Sequence, residues 1–274
     1  MARIRSAAVY SLLLVSAAAA QGPGFRLDGD LVQGALVRGT APAGAAALTL
    51  DGAPIPMGDD GRFLLGLDRD ATPVHFLVAH FADGREVRHA LNVAPRAWRI
   101  ERVGMARPSG GPAPEYAALR EREQRLIGAA RTQRAPAAGW TQNFIWPARG
   151  PLRGVFGSQR VYAGGIPAAY HSGIDIGAGG GAPVVAPADG VVTLAPPPRF
   201  SLEGNLVIVD HGMGLTSAFL HLSRASVRTG ERVRQGQEIG RVGATGRATG
   251  PHLHWSLVWN GARIDPQGVA AGGP

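Results

Sequence analysis

The histidines of this 274-residue chain are concentrated in its C-terminal half, with a spacing that could support metal chemistry. Four of the eight fall in three short segments, at residues 170–175, 219–222 and 251–255, and the first segment also contains Asp175. Imidazole nitrogens and carboxylate oxygens are donors that zinc accepts, and a site with three protein ligands keeps a fourth position for water. Because bound zinc lowers the pKa of water to about 7 and polarises carbonyl oxygens, the pattern predicts a hydrolase of amide bonds.

The general base of such a site does not come from a glutamate motif. No His-Glu-x-x-His sequence occurs, and of the acids after residue 150 only Asp175 lies beside a histidine of the three segments. Asp210 precedes His211 in a glycine-rich stretch, which is typical of a turn. We therefore expect a histidine that does not bind the metal to act as the base, and His221 and His252 are the candidates.

Alternation along two predicted strands directs these histidines toward a groove. In residues 252–259 one face is apolar and is expected to pack in the core, so the opposite face lines the groove. The groove face of this strand carries His252, His254, Ser256 and Val258, opposite Leu253, Trp255, Leu257 and Trp259. The same reasoning for residues 215–222 puts Ser217, Phe219 and His221 on the groove face, opposite Thr216, Ala218, Leu220 and Leu222.

As a set, these segments resemble the signatures of the lysostaphin/LytM-type zinc metallopeptidases. Residues 171–175 resemble the His-x-x-x-Asp signature, residues 221–223 the single-histidine motif and residues 250–254 the His-x-His motif, within a likeness that covers roughly residues 144–266. The resemblance implies a mainly antiparallel β fold with a central groove. It also implies hydrolysis of peptide bonds in peptidoglycan, often those of the D-alanyl cross-link in diaminopimelate-type walls, with a zinc-bound water as the nucleophile.

The resemblance further implies a role for each site residue. The single zinc ion would be held by His171, Asp175 and His254, while His221 and His252 would act in proton transfer and oxyanion stabilisation. Spacing alone does not rank His252 against His254.

One position departs from the family pattern. Phe219 lies two residues before His221, where members commonly carry Tyr, and Tyr162 and Tyr170 are the candidates to replace that hydroxyl.

Two other functions compete with catalysis of this kind. Family members that have lost ligands serve as non-catalytic, wall-binding regulators of other murein hydrolases, but this chain keeps all three ligands and both auxiliary histidines. The D-Ala-D-Ala carboxypeptidases also use two His and one Asp, with a Glu base near the last ligand. The nearest downstream acid here is Asp265.

Strand and turn signals predict a mainly β chain of two domains joined by a helical linker. Residues 1–20 are typical of a signal peptide, 21–103 of a small β-sandwich-like domain, 104–139 of a linker, and 140–274 of the antiparallel LytM-type peptidase domain. The linker contains an amphipathic helix at residues 114–133, with Tyr116, Leu119, Leu126, Ile127 and Ala130 on its apolar stripe. His75, His80 and His89 lie on the strands of the N-terminal domain and are assigned no function.

Composition and charge restrict the compartment and the partners. The chain has no cysteine, which excludes a lipoprotein acyl anchor and a disulfide framework. Its net charge of +8 becomes +6 without residues 1–20, yet no run of five basic residues with interleaved aromatics occurs, so no nucleic-acid partner is expected. We expect an exported monomer of the periplasm or cell envelope, without stable membrane insertion, whose basic surface faces the carboxylate-rich cell wall.

The N-terminal domain carries no cluster of chemically useful residues. We expect it to place the enzyme on the insoluble wall, and the competing interpretation is that it covers the groove and restrains the enzyme.

Overall fold

The computed structural model describes residues 24–107 and 113–274, so the predicted signal peptide lies outside the described residues. The described part is mainly β, as predicted, with one α-helix. The first eight strands are β1 (Arg26–Asp28), β2 (Leu36–Thr40), β3 (Ala45–Leu50), β4 (Ala53–Ile55), β5 (Arg62–Gly66), β6 (Val74–Phe81), β7 (Glu86–Asn92) and β8 (Ile100–Arg102). They are followed by helix α1 (Pro114–Thr132). The remaining strands are β9 (Leu152–Gly154), β10 (Gln159–Val161), β11 (Ile174–Ile176), β12 (Pro183–Val185), β13 (Gly190–Leu194), β14 (Asn205–Asp210), β15 (Leu215–Leu222), β16 (Arg224–Ala225), β17 (Arg232–Val233), β18 (Glu238–Arg241), β19 (Leu253–Trp259) and β20 (Ala262–Ile264).

The N-terminal strands form two antiparallel sheets, with orders β1-β2-β5 and β4-β3-β6-β7. The hairpin of β6 and β7 carries His75, His80 and His89. Its histidines have local partners, because His75 pairs with Asp51 at 2.5 Å and the ring of His89 stacks on Phe25 with centroids 6.0 Å apart. These contacts of His75 and His89 lie within the N-terminal part of the chain.

The C-terminal strands build the largest sheet of the described residues, the central sheet. Its order is β17-β13-β14-β15-β19-β11-β9, with β20 also paired to β19, and every pairing is antiparallel. All seven residues of β19 are buried, and Leu253, Trp255 and Leu257 on its apolar face are fully inaccessible to solvent. A small sheet of order β12-β18-β16 completes this part. Strand β19 thus lies inside the sheet, and its apolar side packs in the core, as predicted.

Helix α1 has the predicted extent but buries only part of the predicted stripe. Tyr116, Leu119 and Leu126 of the expected stripe are 36–46% exposed, whereas Glu123, Ile127 and Ala130 are buried. Ile127 and Ala130 pack on an apolar patch of the central sheet formed by Leu206, Ile208 and Ala218, with Phe200 beside them. The stripe was therefore right for Ile127 and Ala130 and wrong for the other three, because the buried face includes a charged residue with partners, which hydrophobic periodicity does not register.

Polar contacts hold this helix to the sheet. The guanidinium of Arg120 donates two hydrogen bonds to the Glu203 carboxylate at 2.8 and 2.9 Å and also pairs with Glu123. Glu123 in turn accepts hydrogen bonds from the backbone N–H and the hydroxyl of Ser201 at 2.5 and 2.7 Å. The helix is therefore fixed against the second part of the chain and is not a free connector.

The two β parts share one continuous hydrophobic core. Gly66 at the end of β5 lies so close to Trp259 and Ile264 that an added Cβ would be 2.8 and 3.0 Å from their side chains. Strand β8 pairs in parallel with β10, and Arg96 forms an ion pair with the buried Asp265 at 2.7 Å. In the ranges 24–107 and 113–274, no helix is both long and apolar enough to cross a membrane.

Candidate metal centre and active site

His171, Asp175 and His254 come together on the open face of the central sheet. Asp175 in β11 lies directly opposite His254 in the antiparallel register with β19, so their side chains share a face. His171 lies four residues before Asp175 in the segment that enters β11. The nearest atoms are 3.1 Å apart for His171 Nε2 and Asp175 Oδ1, 2.9 Å for His254 Nδ1 and Asp175 Oδ1, and 3.1 Å for the two imidazole nitrogens.

The donor atoms of this group fit a small cation. His171 Nδ1 lies 3.1 Å from the carbonyl oxygen of Val155, which fixes this nitrogen as the N–H donor and leaves a lone pair on Nε2. Lone pairs of two imidazoles and a carboxylate then face one another across 2.9–3.1 Å. A zinc ion with bonds of about 2.0–2.1 Å would separate tetrahedral ligands by roughly 3.3 Å, close to these separations. The residues present therefore fit a three-ligand zinc site.

The electrostatics of the group also favour a bound cation. Burial alone would raise the pKa of Asp175, but hydrogen bonds and charges from His171 and His254 hold it well below its usual range. Burial lowers the pKa of His254, so this imidazole is neutral and can donate its lone pair at neutral pH. An ionised carboxylate beside a neutral imidazole is the protonation state that a zinc site requires. For His171, burial lowers the pKa, but the hydrogen bond and charge of Asp175 outweigh it and raise the pKa, so a metal competes with a proton at this ring.

His221 and His252 lie at the side of this group. Their ring centroids are 4.8 Å apart, and His252 Nε2 is 3.7 Å from Asp175 Oδ1. His221 Nδ1 lies 2.8 Å from the carbonyl oxygen of Thr245, and His252 Nδ1 lies 2.9 Å from that of Gly250. With Nδ1–H donated to a carbonyl, each ring keeps Nε2 free toward the site. Burial lowers the pKa of His221, which keeps it in the basic form.

His221 reaches the open face by a route that alternation did not predict. Ser217 and Phe219, expected beside it on the groove, lie on the core face opposite Leu257 and Trp255, and both are fully buried. The pairing of β14 with β15 shifts register near residues 220–221, and His221 itself has φ of +63°. This bulge turns His221 onto the same face as His254, so the groove assignment was right for His221 and wrong for Ser217 and Phe219.

The hydrogen-bond partners of the two candidate tyrosines in this structure lie outside the group of five site residues. Tyr170 donates its hydroxyl to Asp68 Oδ1 at 3.4 Å, and its ring packs edge-on against Phe156. Tyr162 lies in a turn in which its backbone N–H donates to Ile166. Within the described ranges, neither hydroxyl forms a hydrogen bond with the five site residues, because Tyr170 is oriented toward the N-terminal part.

Two glycines that sequence reasoning did not single out allow the site to close. A Cβ at Gly154 in β9 would collide with the Asp175 carboxylate. A Cβ at Gly173 would lie 2.7 Å from His254 Nε2 and would also collide with the carbonyl of Trp255. The glycines between His171 and Asp175 and in the neighbouring 154–157 segment were the available signal, since the backbone approaches the ligands most closely there.

A fully buried histidine, His211, lies beneath the site and does not face it. Its Nδ1–H donates to the Asp189 carbonyl at 2.8 Å, and its Nε2 accepts from the Ser217 hydroxyl, also at 2.8 Å. Burial lowers its pKa to about 4. Asp210 beside it accepts hydrogen bonds from the backbone N–H groups of Gly212 and Ala135, in keeping with the predicted turn role.

Open space flanks the metal group on two sides. A groove of about 510 Å³ opens beside Asp175 and His252 and is bordered by Arg153 and the glycine-rich segment 177–180. A second cavity, of about 370 Å³, lies between α1 and the sheet and reaches His254. A substrate can therefore approach the group from the 177–180 side, while α1 bounds the other side.

The comparisons with known proteins agree with this geometry. The sequence profile described as Peptidase family M23 matches residues 169–266. The chain is 46% identical over 99 residues to the peptidoglycan DD-endopeptidase ShyC of Vibrio cholerae and 46% identical over 100 residues to the DD-carboxypeptidase/endopeptidase Mpg of Neisseria meningitidis. These matches cover 36% of this chain and 22% and 23% of the two relatives, so the chain spans less than a quarter of their length.

A solved structure resembles nearly the whole chain. A candidate peptidase M23 from Pseudomonas aeruginosa matches with a TM-score of 0.67 and 29% identity, over 87% of this chain and 94% of the other. The similarity therefore includes the N-terminal sheets as well as the central sheet. Residues 169–266 are therefore similar in sequence to the peptidases of family M23, and the similarity of fold extends over nearly the whole chain.

Proposed function

We propose that this protein is a zinc-dependent endopeptidase that hydrolyses peptide cross-links of peptidoglycan. The observation that carries the proposal is the convergence of His171, Asp175 and His254 within hydrogen-bonding distance of one another, with two further histidines beside them. The relatives named peptidoglycan DD-endopeptidase and DD-carboxypeptidase/endopeptidase support peptidoglycan as the substrate class. Action on that polymer requires export to the cell envelope, and the basic charge of the chain suits an anionic polymer.

Each of the five site residues has a distinct role in this proposal. His171 Nε2, Asp175 Oδ1 and His254 Nδ1 hold the metal. When bound, zinc would supply Lewis-acid polarisation of the scissile carbonyl and a nucleophilic water at neutral pH. His221 takes up a proton through its free Nε2, because burial keeps the ring neutral. His252, in the form that carries a proton on both ring nitrogens, donates a hydrogen bond from Nε2 to the developing oxyanion while its Nδ1–H stays on the Gly250 carbonyl.

The competing function is a non-catalytic regulator that binds the wall and activates other murein hydrolases. Such a protein does not need a complete ligand set with its tautomers fixed. Here the Val155, Thr245 and Gly250 carbonyls each orient one imidazole, which favours catalysis.

Digestion of purified sacculi tests the proposal. We expect the zinc-loaded protein to release monomeric muropeptides with a new free amino group at the former cross-link, detected by liquid chromatography and mass spectrometry. The variants His171→Ala, Asp175→Ala and His254→Ala should lose both bound zinc and activity, since a site with two ligands loses most of its binding free energy. Full zinc occupancy in one of them would remove that residue from the ligand set.

Two other results would contradict the proposal. New reducing-end sugars would indicate a glycosidase, which usually needs two opposed carboxylates that this site lacks. Binding to sacculi without release of any product would favour the regulator.

A further inference from the structure

Two arginines meet in the cavity beside His254. This cavity of about 370 Å³ is bounded by α1 on one side and by β15 and β19 on the other, and Ser172 and Ser256 are among its lining residues. Arg131 enters it from the last turn of α1, and Arg263 enters it from β20. Both side chains are half-buried, so a sequence-distant pair of positive charges lies next to a proposed metal ligand.

Neither guanidinium forms a direct ion pair in residues 24–107 and 113–274, although Glu203 lines the same cavity. No carboxylate of those residues lies within 4.0 Å of either group, whereas Arg120 at the edge of the same cavity pairs with Glu203 and Glu123. Arg263 contacts the ring of Tyr170, with its guanidinium carbon 5.4 Å from the ring centroid. Burial and the charge of Arg263 lower the pKa of Arg131, and the charge of Glu203 offsets only part of this effect. The pair carries an electrostatic cost that a bound anion would remove.

The chemistry of the cavity indicates which anion it suits. Guanidinium groups bind carboxylates through paired, charge-assisted hydrogen bonds, and the serine hydroxyls can complete the coordination of the second oxygen. The volume is at the lower end of the range for small-ligand sites. A carboxylate in this cavity would belong to a molecule whose next atoms lie at His254, that is, at the proposed catalytic group.

We propose that Arg131 and Arg263 form a carboxylate-binding subsite that orients an acidic substrate peptide against the metal group. The proposal rests on the proposed function for the identity of the peptide, while the subsite itself follows from the two charges and the cavity. Arg131 lies outside the segment matched by the family profile, so the helix contributes specificity to a site built mainly by the central sheet.

Equilibrium binding tests the subsite separately from catalysis. The probe is a fluorescein-labelled, uncross-linked stem tetrapeptide of peptidoglycan, prepared with free carboxylates and in fully amidated form, and its binding is measured by fluorescence anisotropy. Binding is measured with the zinc-loaded protein and after chelation, to separate the arginines from a carboxylate bound to the metal. We expect the wild-type protein to bind the acid form about tenfold more tightly than the amide in both states.

Substitutions of the two arginines test whether they cause the preference for the acid form. Arg131→Gln and Arg263→Gln should each reduce the preference for the acid form to about twofold or less, and Arg131→Lys should keep part of it. Arg125→Gln is the matched control, because Arg125 lies on the same helix in an exposed pair with Glu121, and it should keep the full preference. Thermal unfolding verifies that each variant is folded. An unchanged preference in folded Arg131→Gln and Arg263→Gln, or a preference that disappears on chelation, would overturn the subsite.

The outcomes separate this proposal from the proposed function. If the arginine-dependent preference is present but cross-linked dimers remain uncut, the endopeptidase assignment fails and the subsite stands. If the dimers are cut but the wild-type protein binds the acid and amide peptides equally, the subsite fails and the endopeptidase assignment stands.

Discussion

Backbone carbonyls orient three of the four histidines around the metal group. Val155, Thr245 and Gly250 each lie 2.8–3.1 Å from the Nδ1 atom of His171, His221 and His252 respectively. His254 differs, since it turns Nδ1 toward Asp175 and is held by the register of β19 with β11. Groups that hold a ring in one orientation also set which nitrogen can bind a metal or carry a proton.

The two auxiliary histidines should differ from the ligands in their mutant phenotype. We expect His221→Ala and His252→Ala to keep near-normal zinc content while kcat falls by about 100-fold or more, because proton transfer and oxyanion stabilisation are each worth that much. Metal analysis by mass spectrometry and steady-state kinetics on cross-linked muropeptides measure the two quantities. Loss of zinc in His252→Ala would exchange the roles of His252 and His254.

The buried His211 should make stability depend on pH. Its folded pKa of about 4 lies below the usual value of 6.5, so the unfolded chain takes up the proton first as the pH falls. The contribution of His211 to the free energy of unfolding is therefore complete above pH 6.5 and is lost progressively toward pH 4, by about 3 kcal/mol. The free energy of unfolding, measured with urea at a series of pH values, should change less steeply with pH for His211→Gln than for the wild type.

The control is His80→Gln, on the partly exposed face of β6, which should keep the wild-type dependence of the unfolding free energy on pH. Equal slopes for His211→Gln and the wild type would mean that other groups carry the acid sensitivity.

At the scale of single elements, a bulge and a helix shape the site. The bulge in β15 moves His221 from the face that alternation gives it to the face of His254, at the cost of a positive φ at a non-glycine residue. Helix α1 lies over the open face of β14 and β15 and closes one side of the cavity that reaches His254. The bulge therefore brings His221 into the groove, and α1 adds a wall that the flat face of a regular sheet would lack.

The ion pairs of Arg120 should determine whether α1 stays on the sheet. Arg120→Met leaves Glu123 and Glu203, both largely buried, without their counter-charge, which should cost about 2–3 kcal/mol. We expect a lower Tm and faster tryptic cleavage within α1. Arg125→Met removes only an exposed pair and should change neither measurement.

The same variant distinguishes two roles of the helix. If α1 forms a wall of the substrate site, Arg120→Met lowers kcat/KM on soluble cross-linked peptides. A gain in kcat/KM would instead mean that the helix covers the groove and restrains the enzyme.

At the scale of the molecule, we expect the N-terminal sheets and the central sheet to unfold as one unit, because they share one core that is continuous at Gly66, Trp259 and Ile264. Separation of the C-terminal part would expose apolar surface that the N-terminal sheets now cover. If the N-terminal part places the enzyme on the wall, it then does so as a body fixed to the C-terminal part, and not through a flexible tether.

Calorimetry of the full chain tests this coupling. We expect a single unfolding transition, and Gly66→Ala should lower its Tm by about 5 °C, because the new methyl group separates β5 from Trp259 and costs about 1–3 kcal/mol. Gly104→Ala is the control, since a Cβ there meets nothing within 4 Å. Two separate transitions, with only the first one moved by Gly66→Ala, would show that the parts unfold independently.

The sequence by itself determined the residue types of the site and the mainly β character of the chain. Local alternation predicted the extent of β15 and the core face of β19, because these depend on neighbours within a few residues. The grouping of His171, Asp175 and His254 needed the family resemblance, since spacing leaves His252 and His254 equivalent.

Only the tertiary structure decided which faces meet. The bulge at His221 depends on the register with β14, and the buried face of α1 depends on Glu203 and Ser201, which lie about 80 residues away in the chain. The juxtaposition of Arg131 with Arg263 and the contact of Gly66 with Trp259 join residues more than 130 positions apart. Such contacts follow from packing of the whole chain, and local periodicity carries no information about them.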